Sequence, residues 1–140
     1  MHLIPEALRA RMLANDHNLP NNDDPIPVVK LFTPDASATW LFTEIDTDSP
    51  DSAFGLCDTG QGFPELGYLS LTEIASVRGP LGLPVECDLS FDPQFPLSVY
   101  AKAARQTGSI AAGDALLKRT NHQRSMSDAK YRDTGLIDFM

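Results

Sequence analysis

Three short strand-like segments with short connections between them restrict the folds that this chain can adopt. Residues 27–32, 38–46 and 53–57 are rich in the β-branched and aromatic side chains that fit a pleated sheet. The connections between them, 33–37 and 47–52, are too short for a crossover between parallel strands, which needs a dozen or more residues. The sequence therefore predicts an antiparallel arrangement for this part of the chain.

Two further strands are predicted downstream. Residues 67–69 follow a glycine-rich turn, and residues 85–91 alternate apolar with polar side chains, which is typical of a strand with one buried face. Trp40 and Phe42 lie two residues apart and so share one face of the second segment. We expect these two aromatic rings to pack in the core, with an aromatic binding platform as the alternative.

Helices are predicted over 3–14, over 70–77 and over 96–108. The second begins with Ser70 and Glu73 at capping-box spacing, and the third ends at a glycine. The predicted fold class is α+β, with a twisted, mainly antiparallel sheet of about five strands and helices packed on one face.

The length of 140 residues corresponds to one domain, which we place at residues 1–108. Residues 109–140 show no sustained apolar stripe and are predicted to be a weakly helical to disordered, flexible basic tail. Its last residues are apolar again, and Leu136, Ile137 and Phe139 are a candidate docking motif within that tail.

The charge is distributed unevenly along the chain. Residues 1–98 carry fifteen acidic and four basic side chains, whereas residues 99–140 carry four acidic and seven basic ones. An acidic body repels nucleic acid and anionic lipid, so we expect no duplex binding through the body and no membrane partner. No apolar run approaches the length of a membrane span, and the first residues lack a secretory signal, so a cytoplasmic location is expected.

Motifs for cofactor, metal or nucleophilic chemistry are weak. Cys57 and Cys87 have acidic neighbours, which disfavour a reactive thiolate, and we expect both thiols to be buried and inert. The three histidines lack ligand spacing, and the turn at 58–62 lacks the residues of a phosphate-binding loop. The sequence predicts no cofactor, no metal site and no catalytic residue.

Several fragments carry a family resemblance. They are residues 27–35, 38–40, 43–44, 54–56, 65–68 and 78–84. On these fragments, the chain from roughly Leu3 to Ser98 resembles the family named domain of unknown function 2958. The resemblance implies a small bacterial protein of a kind often met on plasmids and integrating elements, and it supplies no catalytic residues.

The favoured function is that of a non-enzymatic accessory protein of a bacterial mobile element, which binds a macromolecular partner, most simply a protein, through an acidic surface. One alternative is an acidic mimic of nucleic acid that inhibits a DNA-binding enzyme such as a restriction system. The other is a hydrolase-type enzyme with a carboxylate site. The side chains proposed for the partner surface are Glu44, Asp46, Asp48, Asp51, Glu86 and Asp88.

Overall fold

A computed structural model describes residues 3–16 and 24–121 of the chain. Within these residues, the strands are β1 (Val29–Phe32), β2 (Thr39–Ile45), β3 (Ser52–Asp58), β4 (Glu65–Ser70) and β5 (Glu86–Cys87). They form one open antiparallel sheet with the order β4-β3-β2-β1-β5. The α+β class and the antiparallel sheet predicted from the sequence are confirmed.

Helices flank this sheet. Glu73 donates its backbone N–H to the Ser70 hydroxyl at 3.2 Å, so the predicted cap is present. Gly108 has a φ of 91°, the left-handed conformation that ends a helix without steric cost. The helices are α1 (Glu6–Ala14), α2 (Leu71–Ser76), α3 (Leu97–Thr107) and α4, which covers residues 110–121.

The sheet is covered on both faces, because side chains along a strand alternate in direction. Trp40 and Phe42 on β2 belong to a core cluster that includes Met12 of α1 and Ile74 of α2. Leu41, which lies between them, belongs to a second cluster made with α3. The expectation that helices pack on one face is therefore wrong, whereas the predicted core role of Trp40 and Phe42 is confirmed.

The fifth strand is shorter than its alternating pattern predicts. Backbone hydrogen bonding to β1 continues one residue past Cys87, where the Asp88 N–H donates to the Lys30 carbonyl at 2.9 Å. The Asp88 carboxylate then accepts the backbone N–H of Ser90 at 2.9 Å. This local turn competes with further pairing and directs the chain away from the sheet. Leu89, which the alternation assigns to the buried face, is 79% exposed.

Packing continues past residue 108. Ile110 is 3% exposed and belongs to the second core cluster, against which Leu117 of the same helix also packs. Asp58, at the end of β3, accepts the Ile110 backbone N–H at 2.9 Å and so holds the start of α4. The domain boundary at residue 108 stays a prediction, and these contacts argue for a boundary further along the chain. Leu136, Ile137 and Phe139 lie outside the described residues.

Candidate functional site

The six acidic residues proposed for a partner surface fall into two groups. Glu44, Asp46, Asp48 and Asp51 lie at the end of the sheet that the β2–β3 turn forms. Glu86 and Asp88 lie on and just after β5, the opposite edge strand, which pairs with the other end of β1. The fold therefore gives one acidic end and one separate acidic pair.

Asp16 joins the first group although it is distant in sequence. Its carboxylate accepts both the backbone N–H of Thr47, at 2.9 Å, and the Thr47 hydroxyl, at 2.7 Å. Asp16 is 1% exposed, directly after α1, so this contact attaches the end of that helix to the β2–β3 turn. Sequence reasoning missed Asp16, because a polar loop residue carries no signal for a contact thirty-one residues away.

Asp51 connects the same turn to α2. Its carboxylate accepts the hydroxyls of Ser70 and Thr72 and the backbone N–H of Thr72. These hydrogen bonds favour the charged form and lower the pKa of Asp51. The contact also brings Glu73, in the first turn of α2, to the acidic end.

We define the acidic end by six side chains drawn from three separate parts of the sequence. Two of them are mostly covered: Asp16, as above, and Glu44, which is 4% exposed, so Glu44 contributes charge more than contact area. Asp48, Asp51 and Glu73 are exposed to solvent. The members are Asp16, Glu44, Asp46, Asp48, Asp51 and Glu73.

The charges of the acidic end affect the ionisation of Tyr68 on β4. Burial raises the pKa of the Tyr68 phenol, and the negative charges of Glu44, Asp46 and Asp16 raise it further. Its ring packs edge-on against Phe54, with the centroids 5.1 Å apart. Tyr68 is thus a residue of this site that no sequence signal identified.

Exposed apolar side chains lie on β4 and in the turn that precedes it. Phe63 is 81% exposed, Tyr68 44% and Leu66 39%. A second exposed apolar side chain, Leu81, lies in the loop 79–83. The Leu81 backbone N–H donates to the Asp35 carboxylate at 2.7 Å. Large exposed apolar side chains that lie together are typical of contact surfaces. Of these side chains, Tyr68 lies close enough to the acidic end for its charges to raise the Tyr68 pKa.

Asp88, one member of the second acidic pair, borders a groove of about 520 Å³ on the α3 side of the sheet. Lys30 and Asp88 line it and lie 3.8 Å apart, nitrogen to oxygen. The buried carboxylate at its wall, Asp58, accepts the backbone N–H groups of Gly60 at 2.8 Å and Ile110 at 2.9 Å. Both Asp58 oxygens thus have structural partners, which argues against a general acid or base at this position.

Within the described part of the chain, no group of three or more histidine, cysteine or acidic side chains is placed to hold a metal ion. None of the described helices is long and apolar enough to cross a membrane. Cys57 and Cys87 are free cysteines, not joined in a disulfide, and both have intermediate exposure, so the prediction that they are buried is wrong.

A family model described as "Protein of unknown function (DUF2958)" matches residues 3–111, well over half of the chain. The chain therefore belongs to this family. The match extends past Ser98, where the resemblance in the sequence ends, and includes α3 and the start of α4. No curated protein and no solved structure matches the chain.

Proposed function

We propose that this member of the DUF2958 family is a non-enzymatic accessory protein of a bacterial mobile element, which binds a basic protein partner in the cytoplasm through its acidic end. The observation that carries the proposal is the convergence of six acidic side chains from separate parts of the sequence on one end of the sheet. Charges of one sign gathered in this way attract an oppositely charged surface and speed its association.

The arrangement of the acidic residues bears on the mimicry alternative. A mimic of duplex nucleic acid needs negative charges spread along an extended surface, as the phosphates of a duplex are. The six residues predicted for the partner surface instead divide between the acidic end and the pair on the opposite edge strand. This division favours a compact basic patch or segment as the partner.

The enzyme alternative receives less support. The Asp58 carboxylate is engaged by two backbone N–H groups, and Asp88 is engaged by Lys30 and by Ser90. At the acidic end, the pKa of Asp51 is lowered, which is the direction opposite to that required of a general acid near neutral pH.

The proposal is tested with two double variants that remove equal charge from different places. Asp48→Asn with Glu73→Gln neutralises exposed carboxylates of the acidic end, whereas Glu86→Gln with Asp92→Asn neutralises exposed carboxylates elsewhere. The tagged full chain is used to capture partners from the native host, and mass spectrometry identifies them.

We expect a basic protein to be captured by the parent and by the Glu86/Asp92 variant, but not by the Asp48/Glu73 variant. Its capture should also weaken as salt rises, because screening reduces the attraction between exposed charges. Equal capture by both variants, or capture that salt does not affect, would contradict the acidic end as the binding surface.

A further inference from the structure

The β4 strand lies at an edge of the sheet and pairs with β3 alone among the described residues. The Leu71 backbone N–H donates to the Asp51 carbonyl. This bond determines which residues of β4 point their backbone N–H and C=O groups toward β3. Because these directions alternate along an antiparallel strand, the backbone N–H and C=O groups of Gly67 and Leu69 point toward β3, whereas those of Leu66 point away from the sheet. An outward N–H and C=O of this kind can pair with an added strand.

The other notable feature of this edge is the space above Gly67. A Cβ built on Gly67 meets no atom within 4 Å, and Gly55 lies directly opposite on β3. Residues around this space, including Phe63, Glu65 and Leu69, line a groove of about 530 Å³. A bulky side chain on an adjacent strand can cover an edge glycine in this way.

The charge around the edge identifies the partner chemistry. Glu65 stands at the first residue of β4, and Ser70, at the last, contacts Asp51 of the acidic end. A segment laid along β4 therefore has carboxylates at both ends of its path. A second copy of this chain carries the same acidic body, so repulsion between copies favours a basic segment of another protein.

We propose that the β4 edge binds an extended, lysine- or arginine-bearing segment of a protein partner by strand addition, with a bulky apolar side chain of that segment covering Gly67. This inference rests on the proposed function, for which it names the site and the mode of binding. The added strand hydrogen-bonds to outward backbone groups such as those of Leu66, while its basic side chains lie near the acidic end.

The test uses a defined probe and a substitution that affects only the outward side of β4. The probe is an acetylated and amidated seven-residue peptide in which lysine alternates with valine around a central phenylalanine. Leu66→Pro removes the outward N–H without removing a hydrogen bond to β3, and proline is tolerated at such edge positions. Leu66→Ala is the matched control, because it removes the side chain and keeps the N–H.

Calorimetry of the full chain should show that Leu66→Pro weakens peptide binding by about tenfold relative to Leu66→Ala, which is the loss expected for a backbone hydrogen bond and its geometry. Circular dichroism checks that both variants remain folded. In the parent protein, the Leu66 amide resonance should shift when the peptide is added. Equal affinity of the two variants would overturn strand addition, even where salt-dependent binding of the peptide upholds the acidic surface.

The space above Gly67 is tested separately. Gly67→Val fills that space with a strand-compatible side chain, and a peptide with alanine in place of the phenylalanine leaves it empty. We expect each change to weaken binding several-fold and the two together to weaken it little more, because they act on one contact. If the two losses of affinity add independently, the phenylalanine of the peptide does not bind over Gly67. A dimer held through β4 in sedimentation experiments would show instead that a second copy occupies the edge.

Discussion

Two paired glycines, one on an inner strand and one on an edge strand, differ sharply in what surrounds them. Gly55 on β3 and Gly67 on β4 are direct register partners. A Cβ on Gly55 would lie 1.9 Å from the carbonyl oxygen of Leu41, a backbone atom that cannot move without disturbing β2. A Cβ on Gly67 would meet nothing within 4 Å.

Gly55→Ala should therefore destabilise the protein by roughly 3 kcal/mol or more, since a backbone clash in a packed sheet is among the severe classes of substitution. Gly67→Ala is the matched control and should change the free energy of unfolding by less than about 1 kcal/mol. Urea denaturation of both variants measures the difference. A Gly55→Ala variant as stable as Gly67→Ala would show that the β2–β3 contact is looser than described.

The two thiols should be slow to react despite being partly exposed. Burial raises the pKa of Cys57, and the charges of Asp58 and Glu65 raise it further against an opposing hydrogen bond with Trp40. Burial and then Asp88 raise the pKa of Cys87. Because the thiolate is the reactive species, iodoacetamide should alkylate both slowly in the folded protein at pH 7 and much faster in denaturant.

Rates that are equal in the folded and denatured protein would contradict this prediction. The acidic neighbours in the sequence already indicate the direction of the effect. The structure adds that burial is the larger cause for both thiols.

At the scale of the elements, Asp51 holds α2 against the β2–β3 turn. The folded state lowers the pKa of Asp51, so its contribution to stability is present above the unfolded pKa of about 3.9 and is lost as the pH falls through the folded value. Asp51→Asn should lower the melting temperature at pH 7, and this difference from the parent should shrink as the pH approaches 3.

Asp48→Asn is the control for this experiment, because the Asp48 side chain makes no hydrogen bond among the described residues. Its melting temperature should follow that of the parent at both pH values. A constant difference between Asp51→Asn and the parent across this range would show that the charge of Asp51 does not stabilise the contact.

The elements that the sequence predicts well are those with a local physical cause. The capping pair Ser70 and Glu73 and the terminal Gly108 define helix ends through contacts within a few residues. The alternation at 85–91 failed after Asp88, because the Asp88 side chain accepts the backbone N–H of Ser90 and the chain turns away from β1. A preference for burial is only one of the forces that act on such a segment.

The acidic end could be predicted only in part, because only some of its members come together through local sequence. Asp46, Asp48 and Asp51 belong to one turn and are visible as a group in the sequence. Asp16 and Tyr68 join them through tertiary contacts that depend on where α1 ends and how β4 pairs. The sequence contains no periodicity that encodes either contact.

At the scale of the whole molecule, the acidic body should exclude duplex DNA. The prediction must be tested on the full chain, because α3 begins at Leu97 and packs in the second core cluster, so a fragment ending at residue 98 would lose part of the core. Fluorescence anisotropy with a labelled duplex at low salt should show no saturable binding. A micromolar affinity would indicate that the basic residues after 98 outweigh the repulsion from the body.

Two truncations determine where the folded unit ends. Removal of residues 122–140 takes away only the distal part of the predicted basic tail, with Leu136, Ile137 and Phe139, and it leaves every described contact of α4 in place. Removal of residues 109–140 also takes Ile110 out of the second core cluster and deprives the buried Asp58 carboxylate of a donor.

Loss of a buried aliphatic side chain costs about 2–5 kcal/mol, and an unsatisfied buried acceptor adds to that cost. The shorter chain should therefore melt roughly 10 °C or more below the parent, whereas the chain ending at residue 121 should melt within a few degrees of it. Differential scanning calorimetry measures both. Equal melting temperatures for the two truncations would place the boundary at residue 108, and a large loss on removing residues 122–140 alone would show that the last residues pack into the fold.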